Sequence, residues 1–171
     1  MAENDERRTE LSSLGEFALI HRLTDDFPLH NDSSFRGIGD DCAVIGTGRH
    51  KTLVTTQTMA EGVAFDMTFT PLRHLGYKAV TIALSNIAAM NGTPRQVLVS
   101  IAVSNRFSLE ALEELYAGIR LCCDRYYVDL VGGDTYSSRS GLVITVTAVG
   151  EAEEGAITYR SGAHEKALIC V

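Results

Sequence analysis

The sequence has no Trp, only three Pro among 171 residues, and aromatics at 7%. So little Pro, beside 15 Gly and 45% hydrophobic residues, excludes a collagen-like, Pro-rich or disordered polypeptide. Basic charge is also scarce: 15 Lys and Arg against 22 Asp and Glu leave a formal charge of −7. A polyanion binder carries a basic surface, so nucleic acid is not expected as a partner. An acidic chain still binds phosphate where metal ions bridge the two. Cys42, Cys122, Cys123 and Cys170 form no C-x-x-C pair and predict buried reduced thiols, not a disulfide framework. The five His stand at 21, 30, 50, 74 and 164 without an i, i+4 pair, which gives zinc or a nucleophile triad little support. No long apolar run occurs. The opening MAENDERRTE lacks the core of a signal peptide, and the charge-free window Ala79 to Pro94 is broken by Thr, Ser, Asn and Gly. The expectation is a cytoplasmic protein with no membrane partner.

What is present is periodic. Leu14, Phe17, Ala18, Leu23 and Phe27 recur at helical spacing until Asp25-Asp26-Phe27-Pro28 closes the element. Asn31 to Gly39 reads as a polar loop. Cys42 to Ile45 and Thr52 to Thr56 read as strands joined by Gly46-Thr47-Gly48. Pro71 suits a helix start, and Leu72, Leu75, Ala79, Ala83, Ile87 and Met90 share one face as far as Gly92. Val97 to Val103 reads as a buried strand. Ser108 is a plausible cap for a helix whose apolar face is Leu112, Leu115, Ile119, Cys122 and Cys123. Val128 to Val131 and the alternating Leu142 to Val149 complete the strands. The class is therefore α/β or α+β, with strands outnumbering helices. Ala167 to Val171 is a further apolar, strand-like run, read as the edge of a further domain or else as a terminal strand.

Chemistry concentrates in two glycine-rich segments. Gly37-Ile38-Gly39-Asp40-Asp41 sets adjacent carboxylates on a turn before a strand. Adjacent residues of extended chain point in opposite directions, so one Asp can enter a site while the other holds the loop. Gly132-Gly133-Asp134-Thr135 reads as a loop of the same design. Hard oxygen ligands suit Mg²⁺, and glycines let phosphate approach the backbone. Thr55 to Phe65 has a hydroxyl-rich strand end that lines an oxygen-ligand site or is simply a β-forming run.

The segments GIGDDCAVI, LVTTQTMAEGVAF, HLGYKAVTIALSNIAAMNGTP, GGDTYSS, TAVGEA and YRSGAHEKALICV occur in the order found in thiamine-monophosphate kinases. From about Gly15 to Val171 the chain resembles that family, one of the aminoimidazole ribonucleotide synthase-like ATP-binding proteins. The resemblance implies a mixed sheet with helices on one face, pairing with its twin into a barrel in a homodimer. The charged start reads as a flexible arm over 1–12, and the resemblance implies an ATP- and Mg²⁺-binding domain over 13–171 and a C-terminal domain absent from this chain. Residue by residue, Asp41 matches a Mg²⁺ carboxylate, and Thr55 and Thr56 match a strand-end pair that approaches the metals. Gly133 and Asp134 match nucleotide and metal contacts, and Arg160 matches an Arg that touches ATP. Tyr116 matches a nucleotide-site aromatic and reads equally well as helix core.

Three positions depart from the family pattern. Gln57 stands where the family has a metal-binding Asp, Asn86 where it has another, and Ala64 where it has a His that contacts thiamine phosphate. The implied activity is ATP-dependent phosphorylation of thiamine phosphate to thiamine diphosphate. The alternative is an impaired homologue that keeps the dimeric nucleotide-binding scaffold. An amide supplies only a dipole where a cation calls for charge, so the departures bear on metal affinity before they bear on fold.

Overall fold

The structure, a computed structural model, describes residues 15–168. It divides into two compact units, Met1–Asn31 and Asp32–Val171. The first contributes helix α1 (Glu16–Thr24), closed where the Asp25 N–H donates to the His21 carbonyl at 2.9 Å. This is the helix predicted from the apolar spacing, ending at the Asp pair. The predicted arm over 1–12 lies outside the described residues.

The second unit runs β1 (Ser34–Arg36), β2 (Ala43–Ile45), β3 (His50–Ala60), α2 (Leu72–Ala89), β4 (Thr93–Val103), α3 (Leu109–Tyr126), β5 (Asp129–Ser137) and β6 (Val143–Glu153). The six strands form one sheet in the order β1-β2-β3-β6-β4-β5. Only the β4–β5 pair is parallel; β6 is antiparallel to both β3 and β4. The parallel pair needs a long crossover, which α3 supplies. This bears out the mixed α/β sheet expected from the sequence.

Helix α2 lies on β3, β6 and β4. It buries Leu75, Ala79, Val80, Ala83, Leu84 and Ile87 against Leu53, Val97, Val99, Ile101, Ile144 and Val146. At its end Asn91 takes the left-handed conformation (φ 59), which Asn tolerates well, and stops the helix. Helix α3 begins where the Ser108 hydroxyl accepts the Ala111 N–H at 3.3 Å, as its cap position predicts. It packs on the flank of α2 at a glycine crossing. A Cβ at Gly118 would lie 1.9 Å from the Arg73 carbonyl oxygen, and one at Gly76 2.0 Å from that of Leu115. With α3 drawn onto α2, every residue of β5 is left exposed.

Four expectations need correction. Asn31 to Gly39 is not all loop, because Ser34–Arg36 pairs with β2. Gly132-Gly133-Asp134-Thr135 is not a loop after a strand but the middle of β5. Gly133 fits there because its backbone runs tight against β4, where a Cβ would sit 1.8 Å from the Val99 carbonyl oxygen. β3 extends well beyond Thr52–Thr56, since it pairs with β6 along eleven residues. Finally, Ala167 and Leu168 lie in no strand, and the rest of that run lies outside the described residues. Cys42, Cys122 and Cys123 are free and buried, as predicted; Cys170 is not among the described residues. No helix among the described residues is long and apolar enough to cross a membrane.

Candidate functional site

The two Asp residues before β2 take different roles, as their alternation predicts. The Asp40 side chain is only 4% exposed. Its Oδ2 accepts from Arg36 Nε at 2.9 Å, and its Oδ1 accepts the Arg160 backbone N–H at 2.8 Å. Asp41 is the more open of the two. Its Oδ1 meets Arg160 Nη2 at 2.7 Å, and its Oδ2 accepts a longer bond from Arg160 Nε at 3.4 Å. Segments 119 residues apart thus bring one carboxylate and one guanidinium together at the surface. Of the predicted site residues, this is the pair most directly joined.

A second contact lies beneath α2. Asn86 Nδ2 donates to the hydroxyl of Thr55 at 3.0 Å, linking the helix to the helix-facing side of β3. The Cys42 thiol donates to the Asn86 carbonyl at 3.4 Å, so the residue next to Asp41 touches this pair. Burial, and then the charge of Asp41, push the Cys42 thiol up to about 12, which makes it a neutral neighbour and not a nucleophile. Gln57 is two residues beyond Thr55, in register with buried Val146, and so shares that face.

Thr56 and Asp134 lie on the opposite side of the sheet. Thr147 donates to the Thr56 hydroxyl at 3.2 Å, and the hydroxyls of Thr58 and Thr145 lie 3.0 Å apart. Register aligns Thr58, Thr145, Ser100 and Asp134 in one row across four strands. Asp134 accepts its neighbour's backbone N–H, from Thr135, at 2.8 Å. Two strands separate β3 from β5, so three strand spacings, about 14 Å, lie between Thr58 and Asp134. The pair Thr55 and Thr56, expected at a strand end, lies in the middle of β3 and is divided between two faces, and a single copy does not gather Asp134 with Asp41.

The remaining candidates stand apart. Tyr116 lines a groove of about 270 Å³ with Ile119, Cys123, Val128 and Leu130, where α3 meets the start of β5. Desolvation raises its phenol above the ordinary value. Ala64 lies in an exposed turn after β3, its carbonyl accepting from Lys78 Nζ at 3.4 Å. That turn is fixed by Glu61, whose carboxylate takes Arg106 Nη2 and the Leu142 N–H. Arg36 was not among the predicted site residues, and Asp40 entered only as one of the two adjacent carboxylates of its loop. Their i, i+4 spacing was no signal, because such pairs meet on a helix whereas Arg36 ends β1 and the turn after it brings Asp40 back.

These donors suit a cation that arrives with phosphate more than a preformed cage. No group of three or more His, Cys, Asp or Glu able to hold a metal occurs among the described residues. Of the predicted donors, Asp41 and Asp134 are the carboxylates, Asp41 already paired with Arg160, beside the neutral oxygens of Thr55, Thr56, Gln57 and Asn86. Mg²⁺ commonly takes one or two protein carboxylates and completes its shell with water and substrate phosphates. The residues present fit that mode.

Residues 39–152 match the family model described as AIR synthase related protein, N-terminal domain. The thiamine-monophosphate kinase of Bacillus subtilis (strain 168) is 38% identical over 160 residues, covering 92% of this chain and 49% of that protein. The thiamine-monophosphate kinase of Haemophilus influenzae is 37% identical over 150 residues, covering 83% and 42%. A solved structure described as AaThiL complexed with AMPPCP and TMP superposes with a TM-score of 0.80 at 30% identity, covering 92% of this chain and 48% of that one. The chain spans about half the length of the curated relatives it matches.

Proposed function

This chain belongs to the AIR synthase related protein, N-terminal domain family, and on that premise we propose that it is the nucleotide-binding part of a thiamine-monophosphate kinase. The reaction is ATP-dependent conversion of thiamine phosphate to thiamine diphosphate, in the cytoplasm. The observation that carries it is the Asp41–Arg160 pair at 2.7 Å. A carboxylate and a guanidinium held side by side offer complementary charge to a cation and a phosphate arriving together. Without ligand, each neutralises the other.

Phosphoryl transfer asks a protein chiefly for positioning and charge stabilisation. An oxygen of the thiamine phosphate attacks the γ-phosphorus of ATP in line; the bond from that phosphorus to the β-bridging oxygen breaks, and ADP leaves. Arg160 contacts the nucleotide phosphates, and the Gly133 backbone and Tyr116 help seat the nucleotide. Asp41, Asp134, Thr55, Thr56, Gln57 and Asn86 are the oxygen donors for Mg²⁺, which when bound neutralises the phosphates and the charge that develops on transfer. Ala64 marks the turn that faces thiamine phosphate; lacking a side-chain donor, it leaves that contact to backbone or to other groups.

The separation of Asp134 from Asp41 within one copy favours a homodimer. A second copy on the open sheet face would cover Leu98, Tyr136 and the threonine rows, and would bring a second Asp134 into reach. Domain 13–171 is one part of the assembly, and a C-terminal domain supplies the rest. Calorimetric titration of this chain with AMPPCP and Mg²⁺, then with thiamine phosphate, tests the reading. Expected are nucleotide binding that is lost in Asp41→Asn and a dimeric mass by light scattering. Failure to bind either ligand overturns it.

A further inference from the structure

Asp40 is buried where a charge is costly, and both of its oxygens are engaged. Such a carboxylate is stable only when paired and hydrogen-bonded. Its partners converge on one short segment. Oδ1 takes the backbone N–H of Arg160 itself. Arg36, which binds Oδ2, lies with its guanidinium 4.2 Å from the centre of the Tyr159 ring and reaches Ser161 Oγ at 3.5 Å. The residues on either side of Arg160 are thus held through Arg36, and its backbone through Asp40. The Arg160 side chain itself turns to Asp41. Both Asp40 oxygens accept from N–H donors, which leaves Asp40 poorly placed as a cation ligand.

We propose that Asp40, acting with Arg36, is a positioning residue for Arg160: Asp40 takes the Arg160 backbone N–H while Arg36 holds the side chains of Tyr159 and Ser161, so that the guanidinium stands opposite Asp41, where nucleotide phosphate enters. An Arg side chain carries large rotamer freedom, and fixing its base reduces what must be ordered on binding. The inference rests on the proposed contact of Arg160 with the nucleotide and extends it to residues that touch no ligand.

The test is a double-mutant cycle on the full chain, read as calorimetric affinity for AMPPCP in the presence of Mg²⁺, with thermal midpoints recorded alongside. Arg160→Gln is expected to weaken AMPPCP tenfold or more. Asp40→Asn is expected to weaken it about fivefold alone but less than twofold in the Arg160→Gln background, because residues that act through one group are not additive. A merely structural role would move the thermal midpoint and cost the same in both backgrounds, which overturns the inference; so does an unchanged affinity in Asp40→Asn. If Asp40→Asn does not fold, the half-exposed Arg36→Gln replaces it in the same cycle, with the same non-additivity expected and its absence decisive. If AMPPCP binds but Arg160→Gln leaves its affinity unchanged, the assignment of Arg160 fails and the inference falls with it. A penalty for Arg160→Gln without coupling to Asp40 or Arg36 removes the inference alone.

Discussion

The two faces of the sheet are built from the same strands yet obey different rules. Under α2, β6 presents Ile144, Val146 and Ala148, all fully or almost fully buried. On the other side the same strand presents Val143, Thr145, Thr147 and Val149, each partly exposed. The covered face is a close-packed interior, where every methylene matters. The open face pairs hydroxyls across strands and leaves Leu98, Tyr136 and Asp134 at the surface. The candidate site residues divide along the same line, Thr55, Gln57 and Asn86 beneath the helix and Thr56 and Asp134 opposite. The covered face holds the fold together and carries the candidate donors Thr55, Gln57 and Asn86 with it, whereas the open face is free to meet a partner or a ligand.

The sharpest break of this contrast lies at the glycine crossing on the covered side. Gly118→Ala would drive a methyl into the Arg73 carbonyl and part the two helices, so a loss of about 3 kcal/mol or more is expected by urea denaturation. An unchanged midpoint would mean that the helices do not meet as described. Slightly smaller is the contrast between adjacent residues of β6. Ile144→Ala should cost about 3 kcal/mol, whereas Thr145→Ala should cost less than about 1 kcal/mol, since it removes one exposed hydroxyl contact. Equal losses would erase the distinction between the faces.

The third test uses pH. Burial, and then Asp41, push the native Cys42 thiol from its ordinary 9.0 up to about 12, so the unfolded chain releases this proton first. Its contribution therefore falls as pH rises from 9 toward 12. Cys42→Ala should flatten that alkaline decline, and the native thiol should resist iodoacetamide at pH 8 until urea is added. Rapid labelling of Cys42 in the native state would contradict its burial. The smallest effect is at the acid side of the open end of β3. The side chain of Arg106 and the N–H of Leu142 hold Glu61 below its ordinary 4.5. Its stabilisation is present above that value and declines as pH falls below it. Glu61→Gln should shallow the acid limb by less than about 1 kcal/mol, because Arg106 is half exposed.

Much of this was legible in the residues. The spacing of Leu72, Leu75, Ala79, Ala83 and Ile87 marked α2, Ser108 marked the start of α3, and Val143 to Val149 showed its two faces before any register was known. Gly132-Gly133-Asp134-Thr135 misled because glycine pairs are usually turn signals. Here Gly133 meets the Val99 carbonyl across the sheet, a requirement that lies in β4 and not in β5. Asp40 and Asp41 show the same limit at the site. Alternation stated that one would hold the loop and one would face outward, but not which.

Sequence alone therefore determined what local chemistry and periodicity control: the helices, most strands, the buried thiols and the family motifs. Tertiary structure alone decided what depends on neighbours distant in the chain. It set α3 against α2 and left β5 bare, sent Thr55 and Thr56 to opposite faces, and placed Arg160 on Asp41 across 119 residues. The physical reason is that a side chain's direction follows from its own backbone, whereas its partner follows from how the whole sheet and its helices pack.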